Sequence, residues 1–188
     1  MKILENLQAI LSTGYLSMIL LGITFTGTRY SQFRINIFSY SEALDFLIAP
    51  FKDIQIVIYS LVPILITYIF LQFDKALKTK YPKVYSIIYL GTDKKSWFKK
   101  AWIFQWTIFL VIYTLLASSI YAGNFKKNFA NTAQNVVIEF EGKQFVNGRM
   151  IGSNPNFIFI QDTSNANLII PINSTVKLVK IPGLQNSK

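Results

Sequence analysis

The chain has 188 residues, 52% of them hydrophobic and only 15% charged, with a formal net charge of +10 at pH 7 and neither cysteine nor histidine. A soluble domain carries about 25% charged residues, and here the apolar residues gather in runs of about twenty, long enough to cross a bilayer core. Without Cys and His, disulfide frameworks, Cys nucleophiles, Ser-His-Asp triads and zinc sites built on those ligands are excluded.

Residues 1–6 are short, polar and carry Lys2, and the apolar run 7–26 (LQAILSTGYLSMILLGITFT) follows. A secretory signal peptide has an apolar region of about 7–15 residues and a small-residue cleavage site. This run is longer and no such site follows it, so it reads as an uncleaved signal anchor. Gly14, Ser17, Gly22, Thr24 and Thr26 are small enough to let another helix approach closely in lipid.

The connection 27–53 sets Arg29, Arg34 and Lys52 against Glu42, Asp45 and Asp53, so it is neutral and suits the outer side of a membrane. Within it, residues 42–51 (EALDFLIAPF) put Leu44, Leu47 and Ile48 on one helical face, with Phe51 near them. That segment is too short to span; it lies in the interface or caps the bundle. Residues 54–73 (IQIVIYSLVPILITYIFLQF) form the second span, with Pro63 at the middle as a helix kink. Such a bend serves either gating or packing.

Residues 74–100 are a basic loop. Lys75, Lys78, Lys80, Lys83, Lys94, Lys95, Lys99 and Lys100 face only Asp74 and Asp93, for a local charge of +6. Short Lys-rich loops stay cytoplasmic, and these eight lysines are the candidate contacts to anionic lipid or to a cytoplasmic protein or nucleic-acid partner. Tyr81, Tyr85, Tyr89 and Trp97 alternate with them, and 84–90 (VYSIIYL) reads as an interfacial segment ending at Gly91.

Residues 101–122 (AWIFQWTIFLVIYTLLASSIYA) form the third span, with Trp102 and Trp106 at the lysine-rich end, Gln105 one turn inside and Tyr121 at the far end. None of the three spans contains Asp, Glu, Lys or Arg, which disfavours a pump or proton relay. The loop's charge puts the N-terminus in the cytoplasm and the tail outside. Lys126 and Lys127 run against that assignment but are outnumbered.

After a linker at 123–134 the period becomes two: Val136, Ile138 and Phe140 alternate with Glu139 and Glu141. Turn-forming residues recur at 141–143, 147–148, 152–156, 162–167 and 171–174. They leave five strands, near 135–141, 144–151, 156–161, 167–171 and 175–181. Five short strands predict a small closed β-barrel over 135–182. The fold class is therefore α+β, a membrane protein with three transmembrane helices in residues 1–122 followed by a five-stranded β-barrel domain.

The stretch VVIEFEGKQFVNGRMIGSNPNFIFIQDTSNANLIIPINSTVKLV resembles Sm-like small barrels: a strand with a Gly turn leads to G-x-x-x-G, then a hydrophobic strand, a polar hairpin and a closing strand. It is also similar to the β-domain after the third helix of small-conductance mechanosensitive channels. There a polar hairpin leads into an apolar-apolar-Pro-x-Asn run, matched by Ile169, Ile170, Pro171, Ile172 and Asn173. The RNA-contacting Asn of the Sm pattern would fall near Ile158, and its Arg-Gly pair is missing, so RNA binding does not carry over. The channel family's Gly- and Ala-rich pore helix is replaced here by a third span bulky with Phe, Tyr and Trp.

No carboxylate spacing suggests an acid–base pair or a metal cluster, and no phosphate-binding Gly loop occurs. The sequence thus predicts a non-enzyme without metal or cofactor. The plan resembles small bacterial inner-membrane effectors of anti-phage defence, which permeabilise the membrane as homo-oligomers. An immunity or accessory protein holding a toxin or envelope partner, and a small gated channel of mechanosensitive type, stay open beside it.

Overall fold

A computed structural model describes residues 2–141, 145–172 and 176–181, with side chains from Leu7 onward. The expected turns at 142–143 and 173–174, Asn173 and position 182 lie outside the described residues. The helices are α1 (Lys2–Ser31), α2 (Ala43–Lys52), α3 (Ile54–Lys80), α4 (Pro82–Ile88) and α5 (Phe98–Thr132). Three of them, α1, α3 and α5, are long and apolar enough to cross a membrane. At a rise of about 1.5 Å per residue they measure roughly 45, 40 and 52 Å, each longer than a hydrocarbon core of about 30 Å.

Local chemistry sets the helix ends. Asp53 caps α3, its Oδ1 accepting the Gln55 N–H at 3.0 Å. A capping box opens α2, with the Glu42 N–H donating to Asp45 Oδ2 at 3.1 Å. Pro82 occupies the first turn of α4, where its missing N–H costs nothing. Helix α3 runs unbroken through Pro63, whose ring is fully buried.

Helices α3 and α5 pack antiparallel, because Asp53 meets Tyr121 at one end and Asp74 meets Trp102 at the other. Helix α1 joins them only through its second half: Phe25 packs with Ile56, Ala117, Tyr121 and Ala122. Its first half stands alone, with Leu7, Ile10 and Leu11 each more than half exposed and nothing within 4 Å of where a Gly14 Cβ would sit. Helix α2 lies against α1 so closely that a Cβ on Gly22 would overlap the Phe46 carbonyl.

The strands β1 (Asn135–Phe140), β2 (Phe145–Ser153), β3 (Phe157–Asp162), β4 (Asn167–Pro171) and β5 (Val176–Lys180) fall within two residues of expectation. They form one antiparallel sheet, β4-β3-β2-β1-β5. The expected barrel is not closed: β4 and β5 remain edges. Both faces nevertheless find cover. Val136, Ile138, Ile158, Ile160 and Ile170 make the sheet's own core, while Ile151 and Phe159 on the other face pack against Tyr30, Phe33 and Phe129 of the bundle. Closure is therefore not needed to shelter apolar surface, and Pro171 blunts the β4 edge.

Two further expectations change. Residues 123–132, read as linker, are the last turns of α5, which carries Phe125 and Phe129 out to the sheet. The apolar face read for α2 is only partly covered: Leu44 and Phe51 are exposed and Leu47 and Ile48 half-buried, while the buried residues are Phe46 and Pro50. The helix is apolar on both sides, and a periodicity count over ten residues selects the wider stripe rather than the packed one.

Candidate functional site

At the basic end, the end of α3, α4 and the start of α5 enclose one carboxylate. Asp74 is 8% exposed. Its Oδ1 accepts the Tyr89 hydroxyl at 2.7 Å, and its Oδ2 accepts the Trp102 indole N–H at 2.9 Å and the Tyr85 hydroxyl at 3.4 Å. Three neutral donors thus hold an anion that no cation pairs with among the described residues. Burial, with the adjoining Asp74 carboxylate, pushes the Tyr85 and Tyr89 hydroxyls above the usual tyrosine value. The rings stack around the same point: Tyr85 lies 4.6 Å from Tyr89, and Tyr89 lies 5.0 Å edge-on from Phe98. The second acid, Asp93, accepts the Ser86 hydroxyl at 3.0 Å.

Beside Asp74 lies a cavity of about 340 Å³. Of the eight lysines, Lys75, Lys78, Lys95 and Lys99 line it. Lys83 and Lys94 line a separate hollow across α4, and Lys80 and Lys100 line neither. The sequence shows the charge but not this division, which follows from the helical spacing of 75 and 78 on α3 meeting 95 and 99 where α5 begins.

The sheet end holds a second polar node. Asp53 Oδ2 accepts the Tyr121 hydroxyl at 2.6 Å and pairs with Arg29 Nη1 at 3.4 Å. Arg29 also donates to the Ile151 carbonyl of β2, and its guanidinium lies 4.1 Å from the Phe125 ring centre. One side chain therefore joins all three spans to the sheet. Gly152, next along β2, sits where a Cβ would strike the Tyr30 hydroxyl. Asn154 ties β2 to the connection through the Tyr40 carbonyl at 2.7 Å. A cavity of about 280 Å³ opens beside the node, with Asp45, Lys52 and Ser153 in its wall. Lys126 donates to the Gln32 carbonyl and lies over Phe33, so one of the two lysines that oppose the charge rule has a structural task.

Neither Asp74 nor Asp53 stands out locally in the sequence. Their partners lie 11 to 28 and 24 to 68 positions away, and the only available signal is that each acid borders an apolar run. No group of three or more acids that could hold a metal ion occurs among the described residues. Pro63 lies away from both nodes, in the middle of α3. No protein-family model matches the chain, and no curated protein matches it.

Proposed function

We propose that the chain is a small effector of the bacterial inner membrane, whose copies assemble through α1 and permeabilise the bilayer in response to a cytoplasmic trigger such as phage infection. The observation that carries this reading is the bare first half of α1. Residues 7–16 are all exposed, with open space at Gly14, and they carry Ser12, Thr13 and Gly14, which suit close helix–helix approach in lipid. Lipid covers such a surface poorly compared with a second copy of the same helix. In this reading the lysine-rich end faces the cytoplasm and the sheet lies outside. The absence of ionisable residues from residues 7–26, 54–73 and 101–122 suits an assembly that breaches the membrane rather than one that pumps across it.

The test is expression of the full chain in bacteria with membrane potential followed by a voltage-sensitive dye. Depolarisation is expected, together with crosslinked dimers of Gly14→Cys, clean because the chain has no other cysteine. Inserted protein that leaves the potential intact and does not crosslink overturns the reading. One observation favours a second reading, an immunity or accessory protein: β5 pairs only with β1 and leaves Leu178 and Ile181 exposed at a sheet edge. Such an edge can take up a partner's strand. Protection against a toxin without depolarisation would select it.

A further inference from the structure

We propose that the cavity beside Asp74 is a phosphate-binding site, with Lys75, Lys78, Lys95 and Lys99 as its cationic ligands. The inference rests on the membrane reading of the three spans and not on the effector role.

A run of lysines is ordinarily a solvated face, and four observations set this cluster apart. Lys75 and Lys78 on α3, Lys95 just before α5 and Lys99 in its first turn all line one hollow of about 340 Å³. The two carboxylates in its wall are withdrawn from them: Asp74 is saturated by Tyr85, Tyr89 and Trp102, and Asp93 is bonded to Ser86. None of the four lysines forms an ion pair among the described residues. Finally, Trp102 stands in the wall at the start of the third span, where an indole marks the headgroup level. Four lysines against two carboxylates leave the wall a formal excess of two positive charges, which phosphate oxygens neutralise directly. Basic pockets between membrane helices take anionic headgroups in this way. The Asp74 bonds thus shape the cavity wall and occupy its oxygens, and no lysine ammonium pairs with them among the described residues.

The phosphate can come from an anionic phospholipid or from a soluble phosphate compound, and two arms separate them. The full chain is placed in phosphatidylcholine nanodiscs, in nanodiscs containing phosphatidylglycerol, and in phosphatidylcholine nanodiscs with added pyrophosphate, and its thermal midpoint is followed. A rise with phosphatidylglycerol alone assigns a headgroup, and a rise with pyrophosphate assigns a soluble phosphate. Each Lys→Gln change at positions 75, 78, 95 and 99 should weaken binding by about fivefold, and Lys78→Arg should retain it. A cavity variant with Lys75, Lys78, Lys95 and Lys99 all changed to Gln should lose the rise, whereas a control that removes the same charge outside the cavity, with Lys80, Lys83, Lys94 and Lys100 changed to Gln, should keep most of it. The proposal is overturned if neither addition shifts the wild-type midpoint. It is equally overturned if the control variant loses the shift as fully as the cavity variant, since that is diffuse attraction and not a site. Depolarisation is not read in this experiment, so the effector reading can fail while the site stands.

Discussion

Tyr121 on α5 donates its hydroxyl proton to Asp53 across 2.6 Å, and Asp53 is at once the cap of α3 and the partner of Arg29 on α1. Three helices are therefore fastened at one level. Asp53→Ala removes the cap, the pair and the tyrosine's acceptor together, leaving the half-buried Arg29 without a carboxylate partner. A loss of about 2–4 kcal/mol is expected for unfolding in detergent micelles. Asp53→Asn keeps an acceptor at the cap and should lose clearly less. Equal losses would show that the cap carries little of the effect.

The Asp74 cluster predicts an alkaline limit. Tyr85 and Tyr89 ionise later in the folded protein than the free side chain does, because their environment is buried and faces a carboxylate. A phenol whose pKa rises on folding contributes stability that is complete below its unfolded value of about 10 and fades as pH climbs past it. Tyrosinate absorbance should therefore show the ionisation of Tyr85 and Tyr89 delayed, and Asp74→Asn should remove only part of that delay, because burial, the larger cause, remains. Tyr89→Phe leaves Asp74 with two donors and should cost about 1.5–3 kcal/mol, the range for a hydrogen bond to a charged group.

Two glycines in one helix should behave oppositely. Gly22→Ala pushes α2 off α1, since the Phe46 backbone occupies the space a methyl would need, and a loss of about 1–3 kcal/mol is expected. Gly14 faces open space, so Gly14→Ala in detergent-dispersed monomers should be neutral or stabilising by about 0.5–1 kcal/mol. If Gly14→Ala lowers crosslinking through a cysteine placed at Thr13 in the membrane, a second copy sits against that face.

Thr67 is 8% exposed and its hydroxyl finds no partner among the described residues. Thr67→Val keeps the shape and removes the unpaired group, so the thermal midpoint should rise by the equivalent of about 1 kcal/mol. A fall would place an ordered water on that hydroxyl.

What could be read in advance, and what could not, divides along sequence distance. The spans follow from apolar runs and the strands from alternation, both local properties: Val136, Ile138 and Phe140 locate β1, while of the turn signals Asn147 and Gly148 lie inside β2 and pair in the sheet. Barrel closure depends on whether β4 reaches β5, and that is decided by Phe159 and Ile151 facing the bundle instead of solvent. The length of α5 was hidden because its last turns carry Lys126, Lys127 and Asn128, polar enough to resemble a linker. The eight lysines were visible as charge, but the four that share a cavity are selected by the fold of α4 between α3 and α5. Asp74 and Asp53 were invisible as centres, because the aromatic donors that satisfy them arrive from other helices.

The opposite placement of the lysine cavity and the sheet, one on each side of a bilayer, is tested most directly by cysteine accessibility in a chain that has no cysteine of its own. Single changes Lys94→Cys and Ser164→Cys, the latter in an exposed turn of the sheet, are treated with a membrane-impermeant maleimide in intact spheroplasts and again after lysis. Labelling of position 164 in intact spheroplasts and of position 94 only after lysis is the predicted result. The reverse pattern, or labelling of both positions before lysis, contradicts it.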